Sequence, residues 1–179
     1  MNKLRSLASE KSFVSRKTSK GTISIESLKI HFTRVEDSQQ LPDMKDLPRT
    51  YRSKPLVTVG GEILFGELAI LRYLQRDGWD GVWLDAFHSR GQNKKFWSGM
   101  PFKGQATLPL HAEQLYDKIV AKNGGKLSGF FDVFAWKDGD YVFVEYKGKG
   151  DSPNKNELNW IEAAISAGVK PEQLFIVTY

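Results

Sequence analysis

Phe130-Phe131-Asp132-Val133-Phe134-Ala135-Trp136, followed by Lys137-Asp138-Gly139-Asp140 and then Tyr141-Val142-Phe143-Val144-Glu145-Tyr146-Lys147, is the stretch that decides the fold. Both flanks are aromatic and β-branched, residue types that suit a pleated, packed surface. Asp-Gly between them signals a two-residue hairpin turn, whose central positions require positive φ. With Asp138 and Gly139 at the turn, cross-strand partners have numbers that sum to 277. Trp136 then faces Tyr141, Phe134 faces Phe143, and Asp132 faces Glu145. The two carboxylates are expected on one face with Cβ atoms about 4.5–5.5 Å apart, where like charges are destabilising. Lys147, two residues past Glu145, points to that face as well. Two acids forced together in an apolar hairpin need a shared proton or a cation.

Working outward, Leu68, Ile70, Leu71 and Leu74 recur at helical spacing within 65–75, and Asp77-Gly78 closes that helix. Residues 82–87 read as a strand and residues 88–108 as irregular. A second helix is expected over 109–122, with Leu110, Leu115, Ile119 and Val120 approximating its inner face. After the hairpin, Ser152 is placed to cap a helix with Pro153 in its first turn. That helix runs to Ala167, with Leu158, Ile161 and Ile165 inward, and Gly168 stops it. Residues 173–179 form the last strand, reached by a right-handed crossover and so parallel to the Glu145 strand. Short extended segments are expected at 22–25, 29–33 and 56–59.

The 179 residues suffice for one domain with a full core. The absence of cysteine excludes disulfides, thiol catalysis and cysteine-ligated zinc, and His31, His88 and His111 have no metal-ligand spacing. There is no apolar run of transmembrane length and no signal-peptide pattern, so a cytoplasmic protein without membrane contact is expected. The net charge of +5 resides entirely in residues 1–20, which hold six basic residues against Glu10. That segment reads as a basic, flexible arm. Residues 21–64 read as an N-terminal elaboration, and 65–179 as the core with an insertion at 88–128.

An Asp on one strand, Glu-x-Lys on the next, and a preceding helix bearing Glu67 resemble the PD-(D/E)XK nuclease superfamily. Gly129 to Trp136, then Val144-Glu145-Tyr146-Lys147-Gly148-Lys149-Gly150-Asp151, then Trp160, are similar to the VRR-NUC branch. That branch carries G-x-P-D, E-V-K-G with an Asp shortly after, and a Q-x-x-W helix. Phe131 replaces the motif proline and Glu157 stands at the usual glutamine. The match is close over 129–179 and loose over 65–87. It implies a restriction-endonuclease-like α/β core, a mixed central sheet flanked by helices in the order αβββαβ.

The same resemblance implies a Mg²⁺-dependent nuclease, with Mn²⁺ able to substitute, acting on DNA and cutting branched or flap structures in replication and repair. Asp132 and Glu145 would be direct metal ligands, the Tyr146 backbone carbonyl a third, and Lys147 would orient the attacking water. Glu67 would be the helix carboxylate of the catalytic set, with Glu157 and Asp85 in supporting positions. Carboxylates with water suit Mg²⁺, a hard cation that keeps part of its hydration shell. Lys149, Lys155, Arg90, Lys94 and Lys95 are candidate nucleic-acid contacts, the last three among Phe96, Trp97 and Phe102, which mix with them as aromatics do with cations on nucleic-acid surfaces but equally suit packing anchors. A homodimer is an expectation of the fold. A sequence-specific restriction or defence endonuclease is the alternative activity, and a non-catalytic nucleic-acid-binding module is the alternative outside enzymes.

Overall fold

The computed structural model describes residues 3–18, 21–35, 51, 54–85, 96–100, 104–148 and 150–179. Its centre is the expected hairpin: β9 (Val133–Lys137) and β10 (Asp140–Lys147) pair antiparallel in the register that sums to 277, from Asp140 with Lys137 to Val144 with Val133. Asp138 and Gly139 form the turn at φ 50° and 81°, the positive values that favour Asp-Gly there. The ladder stops at Val133, however, one residue short of the expected Asp132–Glu145 pair, because the chain bends at Asp132.

The sheet grows on both sides of this hairpin. β6 (Asp80–Leu84) pairs antiparallel with β9, and β11 (Leu174–Thr178) pairs parallel with β10, as a helical crossover requires. The crossover contains α4 (Lys155–Ser166), and α2 (Gly66–Arg76) precedes β6. The order helix, three antiparallel strands, helix, parallel strand is therefore present. The result is a mixed sheet with helices on both faces. One face packs under α1 (Lys3–Leu7) and α2 through Leu28, Trp83, Val133, Val144 and Phe175. The other packs under α3 (Leu110–Lys122) and α4 through Ile25, Phe134, Phe143, Leu174 and Ile176. The alternation of Val133, Phe134 and Ala135 between the two cores is the period-two pattern of a strand buried on both faces.

The N-terminus departs from the sequence expectation. Instead of a flexible arm, residues 1–20 contain α1 and a nine-residue strand, β1 (Glu10–Thr18), which pairs along its length with β2 (Gly21–Lys29). β2 lies parallel to β11, so this hairpin extends the central sheet, which ends at its other edge in β7 (Phe96–Trp97) and β8 (Gln105–Ala106), to eight strands in the order β1-β2-β11-β10-β9-β6-β7-β8. Leu4 of α1 is fully buried, which a solvated arm would not provide. Lys11 and Lys17 are exposed on the edge strand, where lysines discourage further strand addition. The expected strands at 22–25 and 29–33 are accordingly one strand, β2, and the two-residue β3 (Thr33–Arg34). β3 pairs with β4 (Leu56–Val59) and β4 with β5 (Glu62–Phe65), making a separate three-stranded sheet that feeds α2.

Three other expectations are corrected. The stretch 88–108 is not wholly irregular, since β7 (Phe96–Trp97) and β8 (Gln105–Ala106) add to the sheet edge. In α3 the buried residues are Ala112, Tyr116 and Ile119, whereas Leu110 is 70% exposed. The cap of α4 is Asn154 rather than Ser152: its side chain accepts from the Asn156 and Glu157 amides, and Glu157 accepts from the Asn154 amide. This reciprocal capping box moves the helix start past Pro153. Its buried face is Trp160, Ile161, Ala163 and Ala164, with Leu158 and Ile165 only half-buried. No described helix is long and apolar enough to cross a membrane.

Candidate functional site

Asp132 sits where β9 begins. Its carbonyl accepts from the Leu84 amide at 2.9 Å, and its carboxylate accepts from the Tyr146 amide at 2.8 Å. Burial, then the negative charge of Glu67, pushes the Asp132 carboxyl up from an ordinary 3.8 to about 7, against the pull of the Tyr146 N–H, Lys54 and Lys147. Glu145, on β10, is 5% exposed. Its carboxyl is also raised, by burial first and by Asp132 second, with Lys147 opposing. The two acids share one buried, negatively charged environment that resists full ionisation.

Lys147 answers on the α4 side. Its ammonium lies 2.7 Å from Glu145 Oε1 and 2.8 Å from Glu157 Oε2. Burial alone would favour the neutral amine, but the two carboxylates outweigh it and hold the group protonated, above its usual range. Glu157 therefore closes the capping box of α4 and also clamps Lys147. That dual role fixes the first turn of the helix beside the Glu-x-Lys strand.

Glu67 approaches from the other face of the sheet, in the first turn of α2, and pairs with Lys54. The Lys54 ammonium stands 5.2 Å from the Phe65 ring centre and 5.9 Å from that of Tyr51. Asp85 is buried and accepts the Tyr51 hydroxyl. Tyr51 is held protonated by burial and by the negative charges of Asp85 and Glu67. Asp85 is thus linked to the centre through Tyr51. Lys54 and Tyr51 carry no signal in the sequence; they lie in a polar, Pro-containing stretch, and only the tertiary fold brings them to Glu67.

A cavity of about 230 Å³ opens here, lined by Lys54, Gly66, Glu67, Tyr146, Asp151 and Tyr179 among others. A larger cleft of about 720 Å³ lies at the turn end of the hairpin, beside His111, Trp136 and Asp138, away from the buried acids. The smaller cavity is the better candidate, because it is lined by Glu67, whose charge acts on Asp132, and by Tyr146, whose amide is bonded to Asp132. Lys155 is exposed at the start of α4. Arg90, Lys94, Lys95 and Lys149 lie outside the described residues. Trp160 is fully buried, edge-on to Phe130 at 4.8 Å, and anchors α4 to the start of the hairpin.

Among the described residues, no group of three or more His, Asp or Glu side chains converges closely enough to hold a metal ion as it stands. The carboxylates instead divide into Glu67 with Lys54, Glu145 and Glu157 with Lys147, and Asp132 coupled electrostatically to both sets. When all are ionised, four carboxylates face two ammonium groups, leaving two negative charges uncompensated. Oxygen donors with that excess fit one hard divalent cation better than a soft metal. No protein-family profile, curated protein or solved structure matches the chain.

Proposed function

We propose that this chain is a divalent-metal-dependent nuclease with a restriction-endonuclease-like core, hydrolysing DNA phosphodiester bonds as an endonuclease on branched or flap structures. The observation that carries the reading is the assembly of Asp132, Glu145 and Lys147 at one end of a β-hairpin, with Glu67 coupled to Asp132 from a preceding helix. The order αβββαβ supports the same core. The cavity is smaller than the roughly 300–1,000 Å³ usual for drug-sized ligands, which suits one segment of an extended polymer better than a whole small molecule.

Mg²⁺ or Mn²⁺ would be held by Asp132 and Glu145 with the Tyr146 carbonyl, and Glu67 would join the set only by leaving Lys54, since the described carboxylates do not converge as they stand. When bound, the ion supplies charge neutralisation and lowers the pKa of a bound water. Lys147 is an ammonium and not a free amine, so it acts as a hydrogen-bond donor that orients water and offsets phosphate charge rather than as a proton acceptor. Glu145 and Glu157 take two of its three N–H donors, so the third is the one that meets water or phosphate. Water adds to phosphorus, the P–O ester bond breaks, and the products are a phosphomonoester and a free hydroxyl.

The test is cleavage of end-labelled flap, four-way junction and linear DNA with Mg²⁺ or Mn²⁺. Wild type should cut the flap or junction, and Asp132→Ala and Lys147→Ala should each reduce the rate by at least about a hundredfold, the scale of losing a charge-stabilising group. Equal cutting by all three proteins would overturn the reading.

A further inference from the structure

A column of stacked groups forms a wall of the acid cavity. The rings of Tyr146 and Tyr179 are stacked with centroids 5.6 Å apart and planes 19° from parallel. The Arg34 guanidinium carbon lies 4.6 Å from the Tyr179 centroid. Phe32 meets Tyr146 edge-on at 6.3 Å. Tyr146 is further fixed from behind, since a Cβ at Gly66 would overlap its ring. Tyr146 and Tyr179 line the same cavity as Glu67, and the Tyr146 amide is bonded to Asp132. The column is therefore rigid at its inner end and connected to the acids by one residue.

At its outer end, Arg34 is exposed, and among the described residues it has no carboxylate partner. A planar cation on an aromatic stack, with no counter-charge among the described residues, offers a flat face and a positive charge together. These are the two features that hold an unpaired nucleobase and its phosphate, since bases stack on aromatic rings and on guanidinium planes alike. Within a duplex both faces of a base are already stacked, so this surface discriminates in favour of single-stranded or frayed nucleic acid.

We infer that the Tyr146–Tyr179–Arg34 column is a binding subsite for an unpaired nucleobase adjoining the scissile phosphate. This deepens the nuclease reading and rests on it for the position of that phosphate, but base binding itself needs no metal and is measured without one.

The experiment is fluorescence anisotropy in EDTA at physiological salt, comparing a short oligothymidylate, an abasic strand of equal charge and length, and a blunt duplex. Wild type should bind the oligothymidylate roughly 5- to 150-fold more tightly than the abasic strand, the range of one good base stack. Arg34→Lys keeps the charge but loses the plane, so it should narrow that gap by weakening oligothymidylate binding more than abasic binding. Arg34 is exposed, and an unaltered melting temperature shows that the variant is folded. Equal affinity for the two single strands, or an undiminished gap in Arg34→Lys, overturns the inference. A base-dependent gap without Mg²⁺-dependent cutting leaves the subsite standing and removes the nuclease reading; cutting without the gap does the reverse.

Discussion

The Tyr146 amide donates to the Asp132 carboxylate at 2.8 Å, so the residue between Glu145 and Lys147 is bonded to the acid that opens the facing strand. This bond continues the hairpin's cross-strand connection beyond the last ladder pair, Val133 with Val144. It also favours the ionised carboxylate, yet burial and Glu67 together outweigh it. Asp132 is thus held in place by one interaction and made unfavourable as an anion by its surroundings, and acids perturbed in this way cluster at functional sites.

Asp132→Asn should stabilise the metal-free protein while abolishing the proposed nuclease activity. Asparagine can still accept from the Tyr146 amide but carries no charge. The gain at pH 8 is on the order of 1–3 kcal/mol, one pKa unit being about 1.36 kcal/mol, discounted for the partial exposure of Asp132. In a chain of this size that raises Tm by roughly 2–10 °C. Thermal denaturation in EDTA measures it, and an equal or lower Tm for the variant at pH 8 would contradict the electrostatic account.

The same shift fixes the sign of the pH dependence. Between an ordinary 3.8 and about 7, the folded protein binds a proton at Asp132 that the unfolded chain has released. Its contribution to stability is therefore greatest below that window, declines as pH rises through it, and is level above about 7. The Tm difference between Asp132→Asn and wild type should be large at pH 8 and nearly absent at pH 4. Saturating Mg²⁺ should shrink the pH 8 difference, because the ion stabilises the charged carboxylate. A difference independent of pH would show that the substituted amide acts through packing instead.

Leu4→Ala should destabilise the whole domain by about 2–5 kcal/mol, the usual cost of truncating a fully buried leucine. The Arg5–Glu26 ion pair at 2.8 Å and the nine-residue β1–β2 ladder tie the same segment to the sheet. Urea denaturation followed by tryptophan fluorescence reports the loss. A neutral result would restore the view of residues 1–20 as an arm without structural weight.

What is legible in the sequence is local. Asp138-Gly139 sets both the turn and the register, and the spacing of Leu68, Leu71 and Leu74 sets α2, because neighbours along the chain decide these features. β1 is hidden because Lys11, Ser12, Ser15 and Lys17 give it no continuous apolar face, and β2 is read only in part, at 22–25; β1 gains its place by pairing with β2, and β2 by pairing with β11. The α4 cap is in principle readable, since Asn154 and Glu157 have capping-box spacing, but Ser152-Pro153 offers a competing signal. Of the candidate site, hairpin arithmetic brings Asp132, Glu145 and Lys147 to one end of the hairpin, but it does not foresee the bend that ends the ladder before the expected Asp132–Glu145 pair. Lys54 and Tyr51 are not legible, because no periodicity links the polar stretch before β4 to the first turn of α2.

Gly66→Ala separates helix propensity from site architecture. Alanine is the better helix former by about 1 kcal/mol, and Gly66 is the first residue of α2 with no need of positive φ, so local reasoning predicts stabilisation. The structure predicts the opposite, because the added methyl would occupy the space of the Tyr146 ring. Relief requires either Tyr146 to swing from Tyr179 or the start of α2 to move away from β10, and overpacking of this kind costs roughly 1–3 kcal/mol. The first movement disturbs the stack, and the second carries Glu67 away from Asp132. Tm should therefore fall by about 2–10 °C, and Mg²⁺ affinity measured by calorimetry should fall with it. A variant with higher Tm and unchanged Mg²⁺ binding would show that the contact between Gly66 and Tyr146 does not set the position of Glu67.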